Sequence, residues 1–309
     1  MPRAVRFEQY GGVEVLNVVD VDPPEPGDGQ MLVRVKAAGI NPFEAKLRSG
    51  MFKDEIPLSF PAAQGSDLAG VVERVGPNVD DFAAGDEVLG TTARRGSHAE
   101  LALASQAHVL PRPAAMPWEV AGALWTVATT AYAAVSAVEA GAGDLVVVAG
   151  ASGGVGGLAA QLAHHRGATV IGVAGDRNHD WLRSRGVQPL AYGDGLAGRL
   201  AAAAADAGER ITALIDTVGQ GYVALGIELG IAPERIDTVV DDDAARRYGT
   251  KTDGGRAAAN TEIVEEIVQL IVDGTLELPI AATFPLEQVR DAYALLERGH
   301  PPGKIVLIP

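Results

Sequence analysis

The chain has 309 residues, enough for two domains with their own cores, and its 47% hydrophobic and 21% charged content describes a folded globular protein rather than a fibrous or disordered one. A formal net charge of −15 argues against a general nucleic-acid binder, because a phosphate backbone is repelled unless a basic patch offsets the charge. There is no cysteine, which excludes disulfides and thiolate chemistry and agrees with a reducing, cytoplasmic setting. The first residues, Met1-Pro-Arg-Ala-Val-Arg-Phe, lack an apolar core of signal-peptide length, so export is not expected. The uncharged run from Val120 to Val138 consists largely of Ala, Thr, Gly and Ser and is expected to form a buried helix rather than a membrane span.

From Arg3 to Lys36 apolar and polar residues alternate in period two, through Ala4-Val-Arg-Phe, Val13-Glu-Val-Leu and Met31-Leu-Val-Arg-Val-Lys. Glycine and proline clusters break the runs, so antiparallel strands joined by turns are expected. Further strands are expected at Asp67 to Val75, Glu87 to Gly90 and Ala99 to Ala104, which makes the first hundred or so residues a mostly β module. Past Pro117 the texture turns to alanine-rich helix, and a domain boundary is placed near Trp118.

Beyond that boundary, strands are expected at Leu145 to Ala149, Thr169 to Val173, Gln188 to Ala191, Ala213 to Asp216 and Ile236 to Val240, separated by helices in the doubly wound manner. The first runs into Gly150-Ala-Ser-Gly-Gly-Val-Gly-Gly157, followed by a helical pattern from Leu158 to Arg166. Strand, glycine turn and helix within one βαβ unit form a dinucleotide site: the missing Cβ atoms let the backbone approach a pyrophosphate, and the helix start offers it N–H groups and a positive dipole end. Glu262 to Val272 is expected to form an amphipathic helix, with Leu276 to Phe284, Leu286 to Arg298 and Lys304 to Ile308 as a closing β-α-β segment.

Several motifs in order give the chain its resemblance to a known family. They are Tyr10-Gly-Gly-Val-Glu-Val-Leu, Val33-Arg-Val-Lys-Ala-Ala-Gly-Ile-Asn-Pro, Gly65-Ser-Asp-Leu-Ala-Gly-Val-Val-Glu-Arg-Val-Gly, Gly85-Asp-Glu-Val, the Gly150 loop and Gly303-Lys-Ile-Val-Leu. Over its full length the sequence resembles the medium-chain dehydrogenase/reductase superfamily, in its zinc-free quinone oxidoreductase branch. The resemblance implies an α/β fold: a Rossmann-type doubly wound parallel sheet (118–260), plus a GroES-like, mostly β catalytic domain (1–117) completed by a return segment (261–309). It also implies a homodimer. Where alcohol dehydrogenases of the superfamily carry zinc ligands, this sequence has Asn41, Ser66 and Thr126, so no metal is expected and an already electrophilic hydride acceptor is: a quinone, an enone or an unsaturated thioester.

For the cofactor the resemblance implies NADPH. Gly150, Ser152, Gly153, Gly154 and Val155 would hold its pyrophosphate, and Thr217, Val218, Thr238 and Val239 stand at strand ends where α/β ligands bind. Ala174 and Gly175 occupy the end of the second nucleotide-domain strand, where a carboxylate would select NAD; Arg177, Asn178 and Tyr192 stand where relatives bind a 2′-phosphate. Asp176 leaves two readings open, a repeller of that phosphate or a displaced NAD selector, and Tyr192 is alternatively a core aromatic at a strand end. Thr130 matches a threonine at the nicotinamide, and otherwise packs its helix. Asn41 is implied to contact nicotinamide or the substrate oxygen, or to make only an Asx turn. Lys46 and His98 are the other catalytic candidates, with Phe43, Phe52, Ser66 and Thr126 at the substrate. An enoyl-thioester reductase, using Arg94 and Arg95 as a basic patch, and a non-catalytic NADPH-binding protein are the alternatives.

Overall fold

The computed structural model describes residues 1–92, 95–256, 260–299 and 301–309. In chain order the elements are β1 (Arg3–Phe7), β2 (Asn17–Asp20), β3 (Gln30–Gly39), α1 (Pro42–Ser49), β4 (Ala62–Ala63), β5 (Asp67–Val75), β6 (Glu87–Thr91), β7 (Leu101–Ser105), β8 (Val109–Pro111), α2 (Trp118–Ala121) and α3 (Trp125–Ala137). There follow β9 (Leu145–Ala149), α4 (Gly154–His165), β10 (Thr169–Val173), α5 (His179–Ser184), β11 (Gln188–Leu190), α6 (Leu196–Asp206), β12 (Ile211–Asp216), α7 (Tyr222–Glu228), β13 (Ile236–Thr238) and α8 (Asp242–Tyr248). The chain closes with α9 (Thr261–Val272), β14 (Ile280–Pro285), α10 (Val289–Arg298) and β15 (Lys304–Ile308).

The chain forms two compact units: residues 1–126, 259–268 and 279–309 make the first, and 127–258 with 269–278 the second. The change of unit falls eight residues after the expected boundary at 118, because α2 packs on β3; a Cβ on Gly39 would lie 2.7 Å from the Ala123 Cα. Residues 269–278 join the second unit through Gln161, whose amide bonds the backbone N–H and C=O of Glu277, both at 2.9 Å.

In the first unit, β1 pairs with β2 and β4, and a larger antiparallel array runs β15-β3-β5-β6-β8 with β7 also on β3. The return segment enters this sheet where β15 pairs with β3, Val306 opposite Gly39, and β14 runs parallel to β15 on its other side. One expectation is corrected here. Val13 to Leu16 is a turn rather than a strand, because Gly12 N–H bonds the Glu14 carboxylate (2.8 Å) and Leu16 N–H the Val13 carbonyl (3.2 Å), which closes the backbone locally. The Asn-Pro turn, in turn, opens a helix: Pro42 at the first helical position has no N–H to lose, and Gly50, left-handed at φ 83, ends it.

The second unit is built on five parallel strands among the described residues, in the order β11-β10-β9-β12-β13. Both faces of the sheet are covered, so β9 reads Leu-Val-Val-Val-Ala with every residue buried, as a central parallel strand requires. Leu145, Val147, Ile171, Val173, Leu200, Leu214 and Ile236 belong to one buried cluster. The expected helix after the glycine turn begins four residues earlier than Leu158, at Gly154, because Gly156 and Gly157 are buried and tertiary packing outweighs glycine's poor helix propensity. The run from Val120 to Val138 is split into α2 and α3, and among the described residues no helix is long and apolar enough to cross a membrane.

Asp237, on β13, is fully buried and accepts the N–H groups of Asp253 (2.7 Å) and Gly254, which pins the turn beyond α8 to the sheet. Burial pushes its carboxyl from 3.8 up to about 6, against the opposing effect of these two backbone bonds. The native state therefore binds this proton more tightly than the unfolded chain. The resulting stabilisation is complete below the unfolded value and lost as pH rises through about 6, roughly 3 kcal/mol in all. Stability of Asp237→Asn is expected to fall less than that of the wild type between pH 4 and 7; parallel denaturation curves would show that Asp237 is not the titrating group.

Candidate functional site

Because β9 to β13 run parallel, their carboxyl ends share one edge of the sheet, and the expected cofactor residues other than Asn41 and Thr130 lie at those strand ends. Gly150 leaves β9 at φ 75, Gly153 N–H bonds back to the Gly150 carbonyl (2.9 Å), and Gly153 is the N-cap of α4. Gly156 lies directly under this turn: a Cβ there would stand 2.3 Å from the Gly150 carbonyl oxygen and 3.1 Å from Thr217 Oγ1, so no larger residue fits. A helix start leaves its first N–H groups without partners inside the helix, and here they face the turn, with Ser152 buried and Val155 half-buried beside them.

The other strand ends divide into two kinds. After β10, Ala174 is buried, Gly175 is half-buried and Arg177 is exposed, with Asn178 closing the same turn. Asp176 turns its side chain, 86% exposed, towards His179, with Oδ1 3.7 Å from the ring Nε2. Tyr192, just past β11, is 66% exposed and lies against Gly175, where a Cβ would meet its ring at 3.5 Å; it is not a core aromatic. After β12 and β13 the hydroxyls are already engaged. Thr217 donates to the Ala149 carbonyl (2.7 Å) and Thr238 to Asp216 (2.8 Å), while Asp216 also accepts the N–H groups of Val218 and Gly219. Burial raises the Asp216 carboxyl, and these three bonds oppose it. Thr217 and Thr238 thus brace the edge, while Val218 and Val239 are half-buried along it and Thr130 is half-buried on α3.

A cavity of about 270 Å³ lined by His164, Gly167, Thr169, Gly186 and Gln188 opens at the amino ends of β10 and β11. It lies at the opposite edge of the sheet from the glycine turn.

The first unit contains a buried polar cluster. Asn41 is 4% exposed, and its Nδ2 donates to Asp67 Oδ2 (3.1 Å) and Glu44 Oε1 (3.4 Å), while its Oδ1 accepts the Lys304 ammonium at 2.5 Å. Lys304 Nζ also donates to the Ile40 carbonyl (2.9 Å). Glu44 accepts the Tyr293 hydroxyl (2.7 Å) and the backbone N–H groups of Ser66 (2.8 Å) and Asn41 (3.1 Å). Thr126 Oγ1 donates to Asp67 Oδ1 at 2.6 Å. Burial lowers the Lys304 ammonium pKa, although Asp67 and Glu44 pull it back up, and burial raises Tyr293 well above its ordinary value.

This cluster brings together Asn41, Ser66 and Thr126 of the expected residues with Glu44, which stands where the resemblance implies an aspartate, and adds three that sequence reasoning missed as site residues: Asp67, Tyr293 and Lys304. His98 borders it rather than facing solvent. Its ring is fully buried, Nε2 lies 3.3 Å from the Gly39 carbonyl and 3.9 Å from Glu44, and burial lowers its pKa. Lys46 is half-buried on α1. Phe43, 47% exposed, packs on Phe52 with ring centroids 5.6 Å apart. Arg94 lies outside the described residues, and Arg95 follows at a left-handed φ of 55.

Comparison with known proteins places the chain. The family model described as the alcohol dehydrogenase GroES-like domain matches residues 27–114, and the one described as zinc-binding dehydrogenase matches residues 198–307. The chain belongs to the medium-chain dehydrogenase/reductase superfamily, the class its nucleotide-type sheet and GroES-like domain define. Quinone oxidoreductases are among its relatives. The quinone oxidoreductase of Pongo abelii is 42% identical over 175 residues, 56% of this chain and 53% of that protein, so this match spans about half the relative's length. The chloroplast envelope quinone oxidoreductase homolog of Arabidopsis thaliana is 29% identical over 326 residues, 99% of this chain and 98% of that protein. The crystal structure of Escherichia coli quinone oxidoreductase complexed with NADPH has a TM-score of 0.86 at 25% identity, covering 99% of this chain and 100% of that one.

The zinc named in one family description does not fit the residues found here. Zinc takes thiolate, imidazole or carboxylate ligands. The Asn41 oxygen instead holds an ammonium, the Thr126 hydroxyl is turned to Asp67, and among the described residues no group of three His, Cys, Asp or Glu is arranged to hold a metal ion.

Proposed function

We propose that the protein is an NADPH-dependent oxidoreductase that works without zinc and transfers a hydride to a quinone or an α,β-unsaturated carbonyl compound. The observation that carries this reading is the turn from Gly150 to Gly156, closed so tightly under the start of α4 that only glycine fits at position 156. That cradle suits a pyrophosphate, which would lie against the first N–H groups of α4 with Ser152, Gly153, Gly154 and Val155 around it. The absence of a carboxylate at Ala174, with Arg177 exposed just beyond and Tyr192 against Gly175, supports a 2′-phosphate and hence NADPH over NADH. Asp176 sides with His179 in this reading.

A bound reduced nicotinamide supplies the hydride. The chain's own contribution is to orient the acceptor and to stabilise the charge that develops on its oxygen. Phe43 and Phe52 offer an aromatic wall, and the cluster around Asn41, Ser66 and Thr126 offers polar groups fixed in place. The reading is tested by following NADPH oxidation against a panel of quinones and a panel of enones, with the zinc content of the purified protein measured alongside. Turnover with at least one panel at negligible zinc is expected. NADPH binding without turnover in either would favour a non-catalytic binding protein, and stoichiometric zinc would contradict the metal-free site.

A further inference from the structure

The buried cluster of the first unit carries unequal charge. Glu44, Asp67 and Lys304 are each 5% exposed or less, and they set two carboxyl groups against one ammonium. Among the described residues, the other ionisable groups around them do not redress this. Arg48 is paired with Glu297, His98 is shifted towards its neutral form and Tyr293 is held protonated. An uncompensated buried charge is costly, so the cluster is driven to retain one proton. Asp67 is the carboxyl best placed for it. Burial favours its protonated form and the Glu44 charge adds to this, against Lys304, Thr126 and Asn41.

We propose that Asp67 and Thr126 form the proton-delivery pair of this site: Asp67 stores a proton, and the Thr126 hydroxyl passes it to the oxygen of the reduced acceptor. The proposal rests on the oxidoreductase reading above. The two oxygens are 2.6 Å apart, close enough that the bond runs from Thr126 to the carboxylate and, once Asp67 is protonated, from Asp67 to Thr126; the Thr126 backbone N–H also holds Asp67 Oδ1, at 3.2 Å. Thr126 is half-buried, while Asn41, Glu44, Asp67, Tyr293 and Lys304 are buried; Ser66 is half-buried too but meets the cluster through its backbone N–H, so the Thr126 hydroxyl, bonded to Asp67, is the exit for a proton from that carboxyl. The acceptor, having gained a hydride, is an enolate or quinolate anion. The Thr126 O–H bond breaks as its proton joins that oxygen, the Asp67 O–H bond breaks to restore the hydroxyl, and the carboxylate left behind is reprotonated from water.

Two measurements test the pair. In the ligand-free protein at neutral pH, the infrared difference spectrum of wild type minus Asp67→Asn is expected to show the carbonyl stretch of a protonated carboxylic acid; carboxylate bands alone would overturn the proposal. In turnover, Thr126→Val is expected to lose roughly 100-fold with an enone, whose product oxygen is strongly basic, and far less with a polyhalogenated benzoquinone, whose quinol ionises readily. Thr126→Ser should recover most of the enone rate. Equal losses with both acceptors would overturn proton delivery while leaving the oxidoreductase reading intact. A wild type inactive with every acceptor would remove both.

Discussion

Replacing Lys304 with methionine is expected to destabilise the protein by about 3–5 kcal/mol, a lower denaturation midpoint being the readout. The side chain is 5% exposed, and its ammonium bonds Asn41 Oδ1 and offsets the charge of Asp67 and Glu44. Taking that ammonium into the interior is costly, as the burial-driven fall of its pKa shows. The pair as a whole therefore adds little net stability over an apolar replacement. Removing one partner is different, because it leaves the carboxyl groups desolvated without a counter-charge and the Asn41 oxygen without its donor. A second change, Asp67→Asn in the Lys304→Met background, removes one of those two buried carboxyl groups and is expected to recover part of the loss. Additive effects of the two changes would show that Lys304 and Asp67 do not interact.

Gly156→Ala is expected to weaken nucleotide binding by roughly 10–100-fold, since relieving an overpacked contact costs about 1–3 kcal/mol. The new methyl would fall 2.3 Å from the Gly150 carbonyl oxygen and 2.7 Å from its carbon, both backbone atoms that cannot swing aside. The turn must then open, and with it the arrangement of N–H groups at the start of α4. Gly153→Ala supplies the control. A Cβ there meets the Gly150 oxygen at 3.4 Å, an ordinary contact, so folding should be little changed while the methyl stands beside the expected pyrophosphate path. Thermal midpoints separate the two cases: Gly156→Ala should lose stability as well as affinity, Gly153→Ala affinity alone.

The parts of this molecule that were legible in the sequence are those whose signal is local. The glycine turn, the apolar run from Leu145 to Ala149 and the strand that follows α4 are consecutive, so periodicity and turn chemistry suffice to place them. The polar cluster is not local. Glu44 meets Tyr293 across 249 residues, and Lys304 meets Asn41 across 263, so no spacing rule could join them. A weaker signal was present. Lys304 precedes Ile-Val-Leu and Asp67 precedes Leu-Ala-Gly-Val-Val, single charges at the heads of apolar strands, where an ionised group is buried only if it is paired. Helix starts were misjudged for a related reason. Propensity argues against helix at Gly154 to Gly157, and only the close approach of α4 to the sheet, visible once the fold is known, reverses it.

Hydride transfer as proposed requires above all that the carboxyl edge of the second unit hold a nicotinamide dinucleotide by its pyrophosphate. Fluorescence titration of the purified full chain with NADPH and with NADH measures this directly. Saturable binding of NADPH, tighter than that of NADH and weakened in Arg177→Ala, is the predicted result. Failure of both nucleotides to bind at millimolar concentration would contradict it.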